Sequence, residues 1–166
     1  KVFNKGEIIE MNKAEVQFMV LNIVLGFIIP WIIALTIIRE YKIIYYIAPF
    51  ASVISFIVND LGFYYFWHLY PFNLNNLSAL PFSIGLFCLY PCVTIELMRK
   101  YHIRVYILLP VTGLTLTLIE WYGVWMGRVV YYNHWNIIAT YFSYFISLVI
   151  SYTFYKFLKK QNLISL

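Results

Sequence analysis

Two acidic residues interrupt long apolar stretches of the sequence, and they are the first indication of a functional site. Asp60 lies 17 residues after Ile43, and Glu120 lies 16 residues after Arg104, where the two stretches begin. At the helical rise of 1.5 Å per residue these separations correspond to ~26 Å and ~24 Å. The two carboxyl groups are therefore predicted at a similar depth, near one edge of a hydrocarbon core of ~30 Å.

A polar pocket shared by these two carboxyl groups is the predicted site. Ionisable side chains at such a depth usually face the interior of a helix bundle or a water-filled cavity. The predicted ligand-binding residues are Asp60, Glu120, Asn59, Arg128, Tyr132, Trp135 and Asn136. Two carboxyl groups could also carry out acid–base chemistry. A purely structural role, with bonds to Arg128 or to tyrosines, is an equally good interpretation.

The sequence carries none of the compact motifs that identify common enzyme, metal or cofactor sites. There is no CxxC pair, no HExxH, no GxSxG and no glycine-rich phosphate-binding loop. Cys88 and Cys92 share one face of an apolar helix, which does not orient them for a disulfide, so we interpret them as packing thiols. His68 and His134 are interpreted as loop or interface residues. We therefore predict no metal and no cofactor, and we assign no catalytic residue.

Five apolar stretches must position these residues, and each is close to the ~20 residues that a membrane-spanning helix needs. Only 11% of the 166 residues are charged, compared with about 25% in soluble domains. The predicted spans cover residues 16–38, 43–66, 80–98, 103–125 and 137–158. The predicted fold is thus an all-α, polytopic transmembrane helix bundle of about five spans. It forms one domain over residues 16–158, between an external segment (1–15) and a cytoplasmic tail (159–166).

Small and polar residues recur at helical spacing in each span and indicate the faces on which the helices pack. In the first span they are Asn22, Gly26, Pro30 and Ala34. The fourth span carries Gly113, Thr117, Glu120 and Gly127, and the fifth carries Ser143, Ser147 and Ser151. Residues 67–79, which are rich in proline, asparagine and serine, are predicted to form a loop.

The last two predicted spans resemble a family of small polytopic membrane proteins found in spore-forming Gram-positive bacteria. The residues that carry the resemblance are Glu120, the segment Tyr132-Asn133-His134-Trp135-Asn136, Ser143, Asp60, Asn75 and Asn76. The family has no assigned activity. The resemblance implies the membrane fold and supports the choice of Glu120, Tyr132, Trp135 and Asn136, but it implies no substrate.

Three functions fit these observations, and the first is the leading hypothesis. It is a non-enzymatic multi-pass protein, transporter-like or an accessory subunit, that binds a small polar ligand, a lipid headgroup or a protein partner in an outward-facing pocket. The alternatives are a membrane enzyme that acts on a lipid or envelope precursor through Asp60 or Glu120, and a structural assembly subunit. Membrane lipids are the expected partners, and a membrane-protein partner or a homo-oligomer stays open. The net charge of +5 does not indicate nucleic acid, because the basic residues flank the apolar stretches.

The distribution of basic residues predicts the orientation of the chain in a cell membrane. Short loops that are rich in Lys and Arg stay in the cytoplasm. With five spans, eight basic residues share one side, namely Arg39, Lys42, Arg99, Lys100, Arg104, Lys156, Lys159 and Lys160. Lys1, Lys5, Lys13 and Arg128 share the other side.

We therefore predict an external N-terminus and a cytoplasmic C-terminus. A reporter that is active only outside the cell should work when it is fused to the N-terminus and should be silent at the C-terminus. A reporter that is active only in the cytoplasm should give the reverse result. Both termini on one side would require an even number of spans and would contradict the five-span arrangement.

Overall fold

The part of the chain that the structure describes contains five helical segments long and apolar enough to cross a membrane, as predicted. The structure, a computed structural model, describes residues 12–164. Its helices are α1 (Lys13–Ile23), α2 (Ile29–Ile37), α3 (Tyr41–Tyr65), α4 (Asn75–Ile84), α5 (Leu86–Tyr101), α6 (Val105–Trp125) and α7 (Ile137–Lys160). The first span is α1 and α2 together, and the third is α4 and α5 together. The predicted external segment, residues 1–15, falls mostly outside the described residues, which begin at Asn12.

The first span contains an irregular turn whose cause is a proline. The Asn12 side chain caps the N-terminus of α1 and accepts a hydrogen bond from the Glu15 backbone N–H. A π-helical segment, Val24–Ile28, then joins α1 to α2. Because Pro30 has no backbone N–H, the Gly26 carbonyl loses the donor that an α-helix would give it four residues later. The widened turn lies immediately before this proline.

The third span begins earlier than predicted and is broken in the middle. The interpretation of residues 67–79 as a loop is wrong. Asn75 already starts α4, after a short 3₁₀ turn at Phe72–Leu74. Gly85 separates α4 from α5 with a non-helical backbone (φ −125°, ψ −91°). The indole N–H of Trp31 donates a 3.1 Å hydrogen bond to the Ile84 carbonyl, which supplies a partner at the break.

The predicted small-residue faces form much of the core. Asn22, Gly26, Pro30 and Ala34 are all buried, so the first span packs through that face. The largest core cluster joins α2, α3, α5 and α7. Cys88 and Cys92 are free cysteines buried within this cluster, which agrees with a packing role. Gly127 is the exception among the small residues, because it is exposed and lies beyond the end of α6.

A small antiparallel sheet, absent from the predicted fold, lies at one end of the bundle. Its strands are β1 (Trp67–Leu69) and β2 (Val129–Tyr131), with Trp67 opposite Tyr131 and Leu69 opposite Val129. We call this pair the ribbon, and its end of the bundle the ribbon end. The ribbon joins the connection between the second and third spans to the connection between the fourth and fifth.

The break at Gly85 provides a test of the packing. A Cβ atom on Gly85 would lie 2.1 Å from the Gly26 carbonyl oxygen and 2.6 Å from the Cα of Phe27. Because both are backbone atoms that cannot rotate away, Gly85→Ala should lower the free energy of unfolding in detergent by about 1–3 kcal/mol.

Gly113→Ala is the matched control, because its Cβ would make an ordinary 3.5 Å contact with the Tyr141 ring. Alanine has the higher helix propensity, so Gly113→Ala should leave stability unchanged or raise it. Equal stability of the two variants would contradict the close approach of the first and third spans.

Candidate functional site: a cavity between the first span and α6

A cavity of about 640 Å³ separates the first span from α6. This volume falls within the range of about 300–1,000 Å³ that is typical of small-molecule sites. The first span contributes apolar residues such as Leu25 and Ile29, and α6 contributes Ile119 and Glu120. Residues of α4 and α5 line the cavity as well, because the first span packs against these two helices while α6 packs mainly against α7.

The side walls of the cavity are apolar and reach the surface of the protein. Leu25, Ile29 and Ile33 of the first span are each at least two-fifths exposed although they line the cavity. Ile119 of α6 is similarly exposed. These residues lie within the membrane-spanning segments. The cavity therefore faces the hydrocarbon interior of the membrane through an apolar flank.

The ribbon lies at one end of this cavity. Successive side chains of a strand point to opposite faces, and here Trp67 and Leu69 share one face with Val129. All three line the cavity, whereas Val130 is exposed on the other face. The ribbon thus contributes an apolar wall at one end of the cavity.

Glu120 is the centre of a hydrogen-bond network inside the cavity wall. Its carboxylate accepts short hydrogen bonds from the phenols of Tyr131 and Tyr144. The Thr140 hydroxyl lies 3.3 Å from Glu120 Oε1 and 2.9 Å from Tyr131 Oη, and it accepts a 2.8 Å bond from the indole N–H of Trp135. The carboxyl group thus connects α6 to β2, to the connection before α7 and to α7.

The Tyr131 phenol is held in its donor form. Burial, and then the neighbouring Glu120 carboxylate, raise the pKa of Tyr131 above its ordinary value. A phenol with a raised pKa stays protonated through the physiological pH range, so Tyr131 can donate to the carboxylate throughout.

Arg128 is the buried cation of the cavity wall. The helix α6 ends at Trp125, and two residues later Gly127 has a positive φ of 69°, which suits a left-handed conformation after a helix. The next residue, Arg128, donates its backbone N–H to the Gly123 carbonyl (2.9 Å). Its side chain is only 9% exposed, donates a short hydrogen bond to Asn22 Oδ1 and lies over the Phe18 ring.

The guanidinium of Arg128 keeps unused hydrogen-bonding capacity. Among the described residues no acceptor bonds to its Nε, which is buried. Burial lowers the pKa of Arg128, but an arginine side chain remains charged in proteins. Arg128 is therefore a cation in the cavity wall whose buried Nε–H has no acceptor among the described residues.

Four of the seven predicted binding residues line this cavity: Asn59, Glu120, Arg128 and Trp135. Asn59 donates to the hydroxyl oxygens of Ser55 and Ser83 at 3.3 and 3.1 Å. Its amide therefore also links α3 to α4.

The prediction that Asp60 and Glu120 share one pocket is wrong. Asp60 is exposed and is not among the residues that line the cavity. Matched depth fixes the height of a residue but not its direction around the helix axis, and adjacent helical residues are ~100° apart. Asn59 faces the interior, so Asp60 points away. The two carboxyl groups are not assembled for joint acid–base chemistry.

Tyr132 and Asn136 also lie outside the cavity, since both organise the backbone of the ribbon end. The Tyr132 hydroxyl donates a 2.7 Å hydrogen bond to the Phe63 carbonyl, and its ring stacks on His68. Asn136 is the N-cap of α7, where its side chain accepts bonds from the Ile138 and Ala139 backbone N–H groups, both at 3.0 Å. Their predicted role in ligand binding is replaced by a structural one.

The direct partners of Glu120 were not predicted from the sequence. Thr140 and Tyr144 lie three residues before Ser143 and Ser147, so an extension of the polar stripe of the fifth span would have found them. Tyr131 carries no such signal, because its position depends on pairing with a strand more than sixty residues earlier.

Comparison with known proteins adds no assignment. No family model, no curated protein and no solved structure matches the chain. Within residues 12–164 no group of three or more His, Cys, Asp or Glu side chains could hold a metal ion.

The Glu120 network provides a prediction with a built-in control. In Glu120→Gln an amide donor replaces one carboxylate oxygen and meets a hydroxyl that is itself a donor. The free energy of unfolding in detergent should fall by about 1–3 kcal/mol, the cost of an unsatisfied buried polar group. Asp60→Asn, at an exposed site, should change it by less than about 0.5 kcal/mol. An equal effect of the two substitutions would contradict the structural role of Glu120.

Proposed function

We propose that the protein binds an amphiphilic ligand in the cavity between the first span and α6. The polar part of the ligand would lie beside Arg128 at the ribbon end, and its apolar part would lie along the membrane-facing walls. The protein would act as a binding or accessory component of a cell membrane. The observation that carries this proposal is the combination, in one cavity, of an exposed apolar flank, the buried Arg128 and the partly buried Glu120.

The shape and chemistry of the cavity support this ligand class over a small polar solute. A site for a small polar ligand would be lined mainly by polar groups, whereas most of the side chains around this cavity are aliphatic or aromatic. Protein interiors contain few voids larger than a water molecule, so a cavity of about 640 Å³ is best occupied by an apolar group. Because its flank is apolar and exposed, such a group can enter from the membrane.

The distribution of charge supports an external ribbon end. The opposite end of the bundle carries the starts of α3 and α6 and the ends of α5 and α7, with all eight of the basic residues identified there from the sequence. The described basic residues at the ribbon end are Lys13 and Arg128. By the preference of Lys and Arg for the cytoplasmic side, the ligand headgroup would then lie in the outer leaflet.

Two other functions receive less support. A membrane enzyme that uses Asp60 and Glu120 as an acid–base pair would need both carboxyl groups at one cavity, and Asp60 is outside it. An assembly subunit would need the carboxyl groups engaged in structural bonds, as Glu120 is, but this role leaves the cavity and the buried Arg128 without a use.

The intrinsic fluorescence of the protein allows the proposal to be tested. Trp67 and Trp135 line the cavity, whereas Trp121 and Trp125 are exposed on α6 outside it. In a variant with Trp31, Trp121 and Trp125 replaced by Phe, only the cavity tryptophans remain. Lipids with brominated chains should quench this fluorescence saturably, at low mole fraction. In the reverse variant, which keeps only Trp121 and Trp125, quenching should increase steadily with the brominated fraction.

Filling the cavity supplies the matched comparison. Val93→Phe adds volume at a residue that lines the cavity, and Val53→Phe makes the same change at an exposed position of α3. Val93→Phe should raise the brominated fraction needed for half-maximal quenching by several fold, and Val53→Phe should not. Quenching of the cavity tryptophans that is neither saturable nor sensitive to Val93→Phe would refute the proposed binding.

A further inference from the structure

We infer that the ligand of this cavity is a lipid with an anionic headgroup, and that Arg128 is the residue that binds the anion. This inference rests on the proposed function and names its ligand class. It depends on three observations: the incomplete bonding of the guanidinium, the commitment of Glu120 to other partners, and the position of Arg128 relative to the apolar walls.

The positive charge of the Arg128 guanidinium is not paired with a negative charge in the described residues. Guanidinium has five N–H donors in a planar fork that suits the oxygens of phosphate or carboxylate. Here one of its nitrogens bonds to Asn22, and the buried Nε finds no acceptor among the described residues. A buried charge is normally paired, because leaving it unpaired is costly. Asn22 supplies a dipole only, so the positive charge is not neutralised.

Glu120, the carboxyl group in the cavity wall, does not neutralise the charge of Arg128. Glu120 is engaged by the hydroxyls of Tyr131, Tyr144 and Thr140. The ion pair between Glu96 and Arg99 (3.4 Å) lies at the opposite end of the bundle. A molecule bound in the cavity that Arg128 lines would supply this anion.

The height of Arg128 identifies that molecule as a lipid. Arg128 lies three residues past the end of α6, and the nearby Tyr64 and Trp125 are each 76% exposed, as expected for the aromatic belt at a membrane interface. From there the apolar walls extend into the spans along Leu25, Ile29 and Ile33. An anionic group at Arg128 with a chain along these walls has the dimensions and polarity of a membrane lipid.

The contacts of Arg128 also fit a merely structural role, in which its bond to Asn22 attaches the first span to the ribbon end. The two roles make different predictions for lipid selectivity. A structural arginine affects stability but gives no preference among headgroups, whereas an anion-binding arginine gives a preference that disappears when an internal anion is supplied.

The experiment uses the full-length variant in which Trp67 and Trp135 are the only tryptophans. This variant is placed in phosphatidylcholine vesicles. Phosphatidylglycerol and phosphatidylcholine with identical brominated chains are compared as quenchers. Half-maximal quenching should require about tenfold less phosphatidylglycerol, as expected for one charge-assisted hydrogen-bonded contact. Arg128→Gln should abolish this preference, and Arg128→Lys should keep part of it.

Two further variants separate anion binding from structure and from general surface charge. Asn22→Asp places a carboxylate at the guanidinium and should reduce the preference to about twofold or less, even if Arg128→Gln fails to fold. Lys13→Gln removes a cation from the same end but outside the cavity, and the preference should persist.

The outcomes are distinct. Saturable quenching that is equal for the two lipids would overturn the anionic ligand and leave the proposed function intact, whereas no saturable quenching would overturn both. A preference that persists in Asn22→Asp and is lost in Lys13→Gln would show surface attraction only and would refute the role of Arg128. Loss of the preference in millimolar inorganic phosphate would show that the free anion suffices and would refute the commitment to a lipid.

Discussion

Inside a bilayer a backbone N–H or C=O group that leaves the helical pattern has no water to bond with, and this constraint explains much of the polar chemistry in the protein. At two departures from regular helix, a side chain supplies a partner for the backbone. Trp31 donates to the Ile84 carbonyl at the break in the third span. At the ribbon end the side chains of Tyr132 and Asn133 donate to the carbonyls of Phe63 and Tyr65. Many of the polar residues that stand out in the sequence are therefore partners of the backbone.

The same constraint explains which aspects of the fold could be predicted from the sequence. Length and apolarity are sufficient to predict a span, so the number and approximate positions of the five spans were predictable. The buried face of the first span was also predictable, because Asn22, Gly26, Pro30 and Ala34 repeat every four residues. The ribbon was not, since its strands have three residues each. Asparagines at 75 and 76 are common in turns, but here they begin a helix that packs against the first span and α3.

For the candidate site, depth along a helix was predictable and direction around it was not. Glu120 was correctly placed inside the bundle because a polar stripe on α6 shared its face. Asp60 had no such discriminating signal, since the partly buried Asn59 and the buried Gly62 lie close to it in sequence. The pairing of Arg128 with Asn22 joins residues 106 positions apart, and only the tertiary packing of the first span against the ribbon end brings them together.

The order in which the chain is synthesised gives the Glu120 network a consequence for membrane insertion. All of its described partners, at positions 131, 140 and 144, lie later in the chain than Glu120 itself. During synthesis α6 therefore leaves the ribosome before any of these hydroxyl groups is available. The last span must therefore be in place before this carboxyl group has its native hydrogen-bond partners.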